Sequence, residues 1–441
     1  MWKAFFVLLV ICIVSAVFSP VCALAAEAPN VTHQNYFGNP SEIWACLSGQ
    51  QTKDGGYIIS GWKSVVGDYH FKTNKLILIK TDTALHQVWI KEYVGNICSS
   101  VMQTSDGGYF AAGAKYADTG KKEQAYIIKT AADGTEQWNK TFGGSRAAWA
   151  TFAQQTKDGC YIVTGQINST GNLTAFIIKT DVNGKESWNQ SYDSKNFADP
   201  YFIQQTSDGG YITSGSIKSD DGKHNYGWLL KTDGNGTVVW ERKYGDGLDQ
   251  SIICAQQTSD GGYIAVGWQK SKEDNNTYGW LFKVDREGNP GGFEHDYGYL
   301  NDSVNQFGFG QQVSDGGYVA VGRTQLADNT SRAYIVKTAS TGQELWNRTF
   351  YFKEHTNATA NSVRQTSDGG YFIVGRSSAE FPYEEGGVIW AVQLKPDVQS
   401  LLDETLNALV NTMSNTMNQV MVGVITGITV AALTRLLFQR R

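Results

Sequence analysis

Short runs of alternating apolar and polar residues, separated by glycine-rich turns, dominate this chain. One stretch shows the pattern in full, with strand-like runs at 202–206, 211–215, 227–232 and 238–244. Tight Asp/Gly turns follow the first and third runs, and a longer polar segment follows the second. Two tight turns and one long loop per four strands predict a four-stranded antiparallel sheet.

This pattern returns at a nearly constant interval along the chain. The motif QQTSDGGYI at 204–212 has six relatives, and its tyrosine recurs as Tyr57, Tyr109, Tyr161, Tyr211, Tyr263, Tyr318 and Tyr371. The fourth run carries a large aromatic residue at Trp89, Trp138, Trp188, Trp240, Phe293 and Trp346. A period near ~50 residues with four strands each is typical of β-propeller blades. We therefore predict an all-β, seven-bladed propeller over residues 30–396.

The last copy lacks a fourth strand, because the sequence reaches Pro396 soon after the apolar run 388–392. Residues 33–38 (HQNYFG) resemble residues 138–143 (WNKTFG), which form a fourth run. The N-terminus is thus expected to supply the missing outer strand and close the ring. Closure would leave no open sheet edge.

Both ends of the chain are apolar. Residues 1–25 have the layout of a secretory signal peptide, with an uncleaved N-terminal anchor as the alternative. Residues 419–438 are long enough for a transmembrane helix, and the basic tail 439–441 is expected in the cytoplasm. The alternative is a helix buried in a globular domain. The favoured combination predicts a single-pass cell-membrane protein with an extracellular propeller.

Residues 397–418 between the propeller and the membrane are predicted to form a helical stalk. The spacing of Leu402, Leu406, Leu409, Met413, Thr416 and Val420 is that of a heptad repeat. Gly423 and Gly427 continue the series as a G-x-x-x-G pair, which lets helices approach closely. Homo-oligomerisation through these residues and a monomeric stalk both remain open.

Composition and charge narrow the function. A net charge of −5 argues against a nucleic-acid partner. Sequons between the two apolar ends agree with export and predict a glycoprotein. They begin at Asn30, Asn139, Asn168, Asn172, Asn189, Asn235, Asn275, Asn301, Asn329, Asn347 and Asn357.

Four cysteines lie outside the predicted signal peptide, and none has the C-x-x-C spacing of a zinc site. Cys46 and Cys98 occupy equivalent positions in neighbouring repeats. A disulfide between them and a pair of small buried thiols are the two interpretations.

The repeated aspartate is the first candidate for chemistry. It occurs as Asp54, Asp106, Asp158, Asp208, Asp260, Asp315 and Asp368, each before a glycine. An Asp-Gly pair between apolar runs is a strong hairpin signal, so a turn is favoured over an active site. Asp181 with Asn183, and Asp233 with Asn235, resemble the start of a calcium loop, but the closing glutamate is missing. No metal, cofactor or catalytic constellation is predicted.

The repeat as a whole, Q-Q-T-x-D-G-G-Y followed by I-K-T-D-x-N-G and W-N-x-T-F-G-G, resembles the repeats of secreted archaeal and bacterial β-propeller surface proteins. The resemblance covers nearly all of residues 33–396 and implies a propeller in the cell envelope. Residues 181–188 are also similar to the docking repeat of quinoprotein-type propellers, whose enzymes use a vicinal cysteine pair and calcium. This chain has no adjacent cysteines. Residues 206–210 resemble the sialidase Asp-box, a structural turn.

Variable loops at 62–74, 114–123, 166–173, 216–225, 268–277, 323–331 and 376–387 are expected on one face, opposite the Asp-Gly turns. Variable loops on a rigid scaffold usually carry binding, so a protein or glycan partner is expected there. The exposed candidates are Trp62, Tyr116, Tyr226, Trp268 and Phe381. The alternative is an extracytoplasmic enzyme, a quinoprotein-like oxidoreductase or glycan hydrolase, with its site at the central channel.

Overall fold

The computed structural model describes residues 27–39, 41–65, 74–116, 122–169, 172–192, 197–298, 304–326, 328, 330–352, 357–378 and 387–397. These residues contain 28 β-strands and no helix, which confirms the all-β prediction. The predicted signal peptide, stalk, transmembrane helix and basic tail, with Gly423 and Gly427, lie outside them. Nothing in the described part of the chain is a helix long and apolar enough to cross a membrane.

Each sequence repeat contributes its strands in order. Repeat 1 has β2 (Glu42–Gln51), β3 (Tyr57–Val65), β4 (Lys75–Thr81) and β5 (Gln87–Val94); repeat 2 has β6 (Ile97–Gln103), β7 (Tyr109–Tyr116), β8 (Glu123–Thr130) and β9 (Glu136–Phe142). Repeat 3 has β10 (Ala148–Gln155), β11 (Tyr161–Ser169), β12 (Asn172–Thr180) and β13 (Glu186–Tyr192); repeat 4 has β14 (Ala198–Gln205), β15 (Tyr211–Lys218), β16 (Asn225–Thr232) and β17 (Val238–Tyr244). Repeat 5 has β18 (Gln250–Gln257), β19 (Tyr263–Lys270), β20 (Thr277–Val284) and β21 (Pro290–Tyr297); repeat 6 has β22 (Val304–Gln312), β23 (Tyr318–Gln325), β24 (Ser331–Thr338) and β25 (Glu344–Phe350). Repeat 7 has β26 (Asn357–Gln365), β27 (Tyr371–Ser378) and β28 (Gly387–Leu394), and β1 (Val31–Phe37) precedes them all in the chain.

The strands pair as antiparallel meanders. Repeats 1 to 4 each form a separate four-stranded sheet, which confirms the predicted blade. Single parallel bridges, Thr277 to Val304 and Ser331 to Asn357, join the strands of repeats 5 to 7 into one network. In this network β1 pairs with β28, with His33 opposite Gln393.

The hydrophobic core lies between neighbouring repeats, because both faces of each inner strand are covered. One buried cluster joins repeats 1 and 2 through Leu78, Tyr93 and Tyr126, and another joins repeats 7 and 1 through Phe372 and Ile59. The fourth-strand aromatic of one repeat lies against the motif tyrosine of the next, with ring centroids 5.5–6.1 Å apart. These wedges hold adjacent sheets at a fixed angle.

The Asp-Gly motif is a turn, as predicted. Asp208 Oδ1 accepts hydrogen bonds from Thr206 Oγ1 (2.5 Å) and from the Gly210 backbone N–H (3.0 Å). The first glycine needs a positive φ, 85° at Gly209, whereas the second does not. The second glycine is restricted by space instead, because a Cβ on Gly210 would lie 2.2 Å from the Thr232 carbonyl oxygen. Cys160, which replaces this glycine in repeat 3, therefore requires a local shift of the turn.

A lysine from the third strand pairs with the motif aspartate in six repeats. The pairs are Lys80–Asp54, Lys129–Asp106, Lys179–Asp158, Lys231–Asp208, Lys283–Asp260 and Lys337–Asp315. The sequence interpretation of the turn did not include this lysine. Its alkyl stem is buried in the sheet while its ammonium neutralises the turn carboxylate.

The motif glutamine links each turn to the following repeat. The Gln103 side-chain oxygen accepts a hydrogen bond of 2.8 Å from the Lys53 backbone N–H of repeat 1. The same bond recurs at every junction, and the seventh runs from Ser367 N to Gln51 Oε1, from repeat 7 back to repeat 1. The first strands follow the same cycle, since each contacts the next and β26 contacts β2.

Candidate functional site in the central cavity

The first strand of every repeat contains a β-bulge at the same position, ten residues before the motif tyrosine. In repeat 4 the register shifts between Pro200 and Phe202, so that Tyr201 is the extra residue. The corresponding residues are Leu47, Ser99, Thr151, Tyr201, Ile253, Gly308 and Asn361. A bulge bends the strand and re-aims its side chains.

All seven bulge residues line one cavity of about 300 Å³, which we call the central cavity. Because the seven first strands surround it, each repeat contributes to the lining. This volume is at the lower end of the range for small-ligand sites. The central cavity is therefore the place where the repeats present side chains jointly.

The lining has an aromatic side and a polar side. Phe152 and Phe202 lie with ring centroids 4.4 Å apart, and Phe309 is 6.0 Å from Phe202. The opposite arc, from repeats 7, 1 and 2, contributes Ser48, Ser99, Asn361 and Ser362. An apolar wall facing hydroxyl and amide groups suits a ligand with one flat apolar face and several polar groups.

A partly buried carboxyl group accompanies Tyr201. The Tyr201 hydroxyl donates a hydrogen bond of 2.9 Å to Asp199 Oδ2 and lies 3.1 Å from Ser216 Oγ. Burial raises the pKa of Asp199 to about 6, although the Tyr201 hydrogen bond opposes the increase. Asp199 therefore titrates near neutral pH, which is a frequent property of functional carboxyl groups.

Arg364 of repeat 7 places a positive charge against Phe309, one of the residues that line the cavity. It occupies the position of the first motif glutamine, and its guanidinium carbon lies 4.2 Å from the centroid of the Phe309 ring. Burial lowers the pKa of Arg364 to about 10, so the guanidinium remains protonated at neutral pH. A cation over an aromatic face is stabilised by the ring quadrupole.

The sequence-predicted binding residues lie apart from the central cavity. Trp62, Tyr116, Tyr226 and Trp268 are partly buried in their strands rather than exposed as expected, and Phe381 lies outside the described residues. Trp62 and Trp268 are held in strand ladders opposite Ala45 and Ser251. A single aromatic residue at a strand end packs against its sheet, which the sequence pattern alone does not reveal.

The calcium candidates are turn residues. Asp181 Oδ1 accepts hydrogen bonds from the backbone N–H groups of Asn183 and Lys185, and Asp233 Oδ1 accepts the same bonds from Asn235 and Thr237. Among the described residues no three His, Cys, Asp or Glu side chains are grouped to hold a metal ion. These carboxylates cap their turns.

Of the two interpretations of Cys46 and Cys98, the structure has the pair of buried thiols. Cys46 and Cys98 are free and buried. The Cys46 thiol donates to the Gly375 carbonyl of repeat 7 (3.0 Å), whereas Cys98 packs in the cluster between repeats 1 and 2. The two sulfur atoms lie in different clusters, Cys46 between repeats 7 and 1 and Cys98 between repeats 1 and 2. Burial raises the pKa of both thiols to about 12.

The sequons differ in accessibility. Asn30, Asn139, Asn189, Asn235 and Asn275 are exposed, whereas Asn168, Asn347 and Asn357 are partly buried. Asn357 also accepts a hydrogen bond from Ser331 N through its side-chain oxygen (3.1 Å). The side chains of Asn172, Asn301 and Asn329 lie outside the described part.

Sequence reasoning missed the residues of the central cavity. A bulge adds one residue and shifts the alternation of the strand by one position, so no regular period marks it in the sequence. One signal was present: the position ten residues before the motif tyrosine differs in all seven copies, whereas the second motif glutamine and the turn aspartate that follow it are the same in all seven. A variable position inside a repeated strand marks a side chain that does not serve the scaffold.

Comparisons with known proteins give low similarity. No family model matches the sequence, and no curated protein matches it. Among solved structures, BBS1N in complex with ARL6DN is 9% identical with a TM-score of 0.46, covering 84% of this chain and 98% of that one. The WD40 domain of SCAP from fission yeast is 7% identical with a TM-score of 0.39, covering 83% and 92%.

A puromycin hydrolase mutant complexed with PGG is 10% identical, with a TM-score of 0.48. The match covers 80% of this chain and 53% of the hydrolase, so this chain spans about half of that enzyme's length. These identities and TM-scores are too low for any of the three structures to indicate an activity for this chain.

Proposed function

We propose that this protein is an extracellular, membrane-anchored, seven-bladed β-propeller that binds a protein or glycan partner without catalysis. Three cyclic features support the closed ring: the contacts between first strands, the glutamine hydrogen bonds, and the pairing of β1 with β28. A ring held at every junction is rigid, and a rigid scaffold is suited to presenting a binding surface.

The proposed binding function rests on a contrast between the residues that hold the repeats together and the residues that line the central cavity. The turn aspartate and the motif glutamine keep their identity in all seven copies. The bulge position instead carries Leu, Ser, Thr, Tyr, Ile, Gly and Asn, and all seven lie in the central cavity. We infer that the central cavity and the adjoining variable-loop face recognise one asymmetric ligand.

Export and anchoring rest on the sequence. A signal peptide at 1–25, a stalk at 397–418 and a transmembrane helix at 419–438 would place the propeller outside the cell and residues 439–441 inside. The five exposed sequons agree with this location, because glycosylation needs accessible asparagines. The resemblance to archaeal and bacterial surface proteins favours the cell envelope.

The test is a glycan array and an affinity pull-down with the full chain in lipid nanodiscs. We expect a reproducible ligand whose binding falls at least about tenfold in Tyr201→Ala and Ile253→Ala, because each loses contacts in the central cavity. Val239→Ser, a change to an exposed residue of the outer strand β17, is the matched control and should bind normally. A ligand whose affinity is unchanged by substitutions in both the cavity and the variable loops would contradict the proposal.

One observation favours the alternative of an extracytoplasmic enzyme, namely the Asp199 carboxyl group with its raised pKa beside Tyr201. Glycoside hydrolysis usually needs two carboxyl groups flanking the scissile bond. None of the described residues that line the cavity is Asp or Glu, and Asp199 is connected to the lining through its hydrogen bond with Tyr201. Turnover of an array ligand, abolished by Asp199→Asn, would establish the enzyme instead.

A further inference from the structure

The junction between repeats 7 and 1 differs from the other six. At five of these six other junctions, a lysine of the third strand lies directly opposite a tryptophan of the fourth strand, as Lys129 lies opposite Trp138. The equivalent pair at the last junction is Gln393 opposite His33. Both replacements are smaller, so the space that the large pair fills elsewhere is open here.

A pocket of about 410 Å³ occupies this space, and we call it the seam pocket. It is lined by Tyr57, Tyr371, Asp368, Gln393 and His33, among others. It lies at the Asp-Gly turn end of the strands, opposite the variable loops, and is separate from the central cavity.

In the six other repeats, the equivalent position is occupied by a lysine ammonium group. Each places a lysine ammonium against the motif carboxylate, at 2.9 Å for Lys80 and Asp54. In four of them the ammonium also donates to the backbone carbonyl of the next residue, at 2.8–3.0 Å for Lys80, Lys129, Lys231 and Lys337. Carboxylate and carbonyl together form a site for a primary ammonium group.

Repeat 7 keeps these acceptors without the lysine. Asp368 accepts the usual turn hydrogen bonds from Thr366 Oγ1 (2.5 Å) and Gly370 N (3.3 Å). The Leu394 carbonyl stands where Thr81 stands in repeat 1, because a Cβ on Gly370 would collide with it as one on Gly56 would with Thr81. Gln393 donates instead to the Tyr57 hydroxyl and the Thr83 carbonyl. Its side-chain oxygen is buried and accepts no hydrogen bond from the described residues.

We propose that the seam pocket binds a primary alkylammonium group supplied from outside the sheet, either a free amine or a lysine side chain of a partner. Asp368 and the Leu394 carbonyl accept two of its N–H groups. The alkyl stem lies beside the Tyr57 and Tyr371 rings, which line the pocket. A charge-assisted hydrogen bond in a partly enclosed site is strong enough to select this group.

Lys395 is the internal competitor. It lines the same pocket, is exposed, and forms no ion pair with any described residue. Its backbone N–H is fixed to the Asn30 carbonyl (3.0 Å), which places the side chain at the rim. The variant Lys395→Met removes this ammonium group, so it distinguishes binding of an added amine from occupation of the pocket by Lys395.

The experiment is calorimetric titration of the full chain in nanodiscs with butylammonium and with Nα-acetyl-lysine methylamide. Butanol and butyltrimethylammonium are the controls, since the first lacks charge and the second lacks N–H donors. We expect both amines to bind and both controls to fail. Binding of only one amine would still support the site and would identify its source, a free amine or a lysine side chain.

Substitutions test whether the amines bind in the seam pocket. Asp368→Asn should weaken it at least about tenfold, because the charged acceptor is lost. The double change His33→Trp with Gln393→Lys rebuilds the pair found in the other repeats; it should abolish binding and raise the melting temperature. Asp315→Asn, in the lysine-filled site of repeat 6, is the matched control that should bind normally.

Three results would overturn the proposal: binding retained by the rebuilt variant, equal binding of butyltrimethylammonium, or binding seen only with Lys395→Met. The last would show that Lys395 fills the site in the native chain. The rebuilt variant is expected to fold better than the native chain, so its loss of binding would not reflect unfolding.

Discussion

At the scale of single residues, the aspartate–lysine pairs of repeats 1 to 5 make the stability of the fold depend on pH in the acid range, because the pKa of each of these aspartates is lowered. Partial burial alone would raise the pKa of Asp208, but hydrogen bonds from Thr206 and Lys231 lower it to about 2. A carboxyl group whose folded pKa lies below the unfolded value of about 3.9 stabilises the protein above that value. This stability is lost as the pH falls through the folded pKa.

We therefore expect the urea midpoint to fall steeply between pH 4 and pH 2. Asp208→Asn should lower the stability at pH 7 by about 1 kcal/mol, because the turn hydrogen bonds remain and only the ion pair is lost. Urea denaturation from pH 2 to pH 7 measures both effects. Asp368→Asn, in the turn without a lysine, is the control and should cost less. Equal losses would show that the turn, not the ion pair, supplies the stability.

Asp199 predicts the opposite pH dependence. Burial raises its pKa to about 6, so the folded state holds a proton that the unfolded chain releases near pH 4. The charged form therefore costs stability as the pH rises from 4 to 6 and above. Asp199→Asn should stabilise the protein at pH 8 by up to about 3 kcal/mol, as two pKa units imply, and by nothing at pH 4. Thermal melting at the two pH values tests this, and an equal change at both would contradict it.

At the scale of strands and turns, the repeat period was sufficient to predict the four-stranded blade. Each apolar run, each Asp-Gly turn and the fourth-strand aromatic recur at fixed offsets, so several copies support every assignment. The bulges, the lysine–aspartate pair and the glutamine bonds were not predicted. They depend on which side chains meet across strands and between sheets, and one sequence without coordinates does not specify those distances.

The N-terminal strand β1 gives a prediction at this scale. Phe37 is 4% exposed and packs in the cluster that joins repeats 7 and 1. Phe37→Ala should therefore destabilise the protein by about 3–4 kcal/mol. Gln34→Ala, at an exposed position of the same strand, is the control and should cost less than about 1 kcal/mol. A thermal melt of both variants decides the question; similar melting temperatures would mean that β1 does not hold the last repeat.

At the scale of the whole molecule, the symmetry of the repeats explains where function is expected. Every junction uses the same turn and glutamine hydrogen bond, and six of the seven use the same aromatic wedge, so these features cannot distinguish one ligand from another. The two places that break the repetition are the bulge residues of the central cavity and the seam pocket. The sequence revealed the seam through the strand missing from its last copy, but the pocket also required the pairing of His33 with Gln393.

The cyclic contacts predict that the chain can be opened at a new place. Lys395 N donates to the Asn30 carbonyl at 3.0 Å, so the two ends of residues 27–397 lie side by side. A circular permutant that joins these ends with a short Gly/Ser linker, and opens after Gly247 between β17 and β18, keeps every strand pair and every glutamine bond. Connections of this kind tolerate such openings when the flanking strands remain paired.

We expect a monomeric permutant that melts within a few degrees of the unpermuted residues 27–397, measured by size-exclusion chromatography and circular dichroism. The same permutant without residues 27–41 is the control, and it should aggregate because β28 becomes an open edge. A permutant that aggregates as readily as this control would show that the contacts between repeats 7 and 1 do not close the ring in solution.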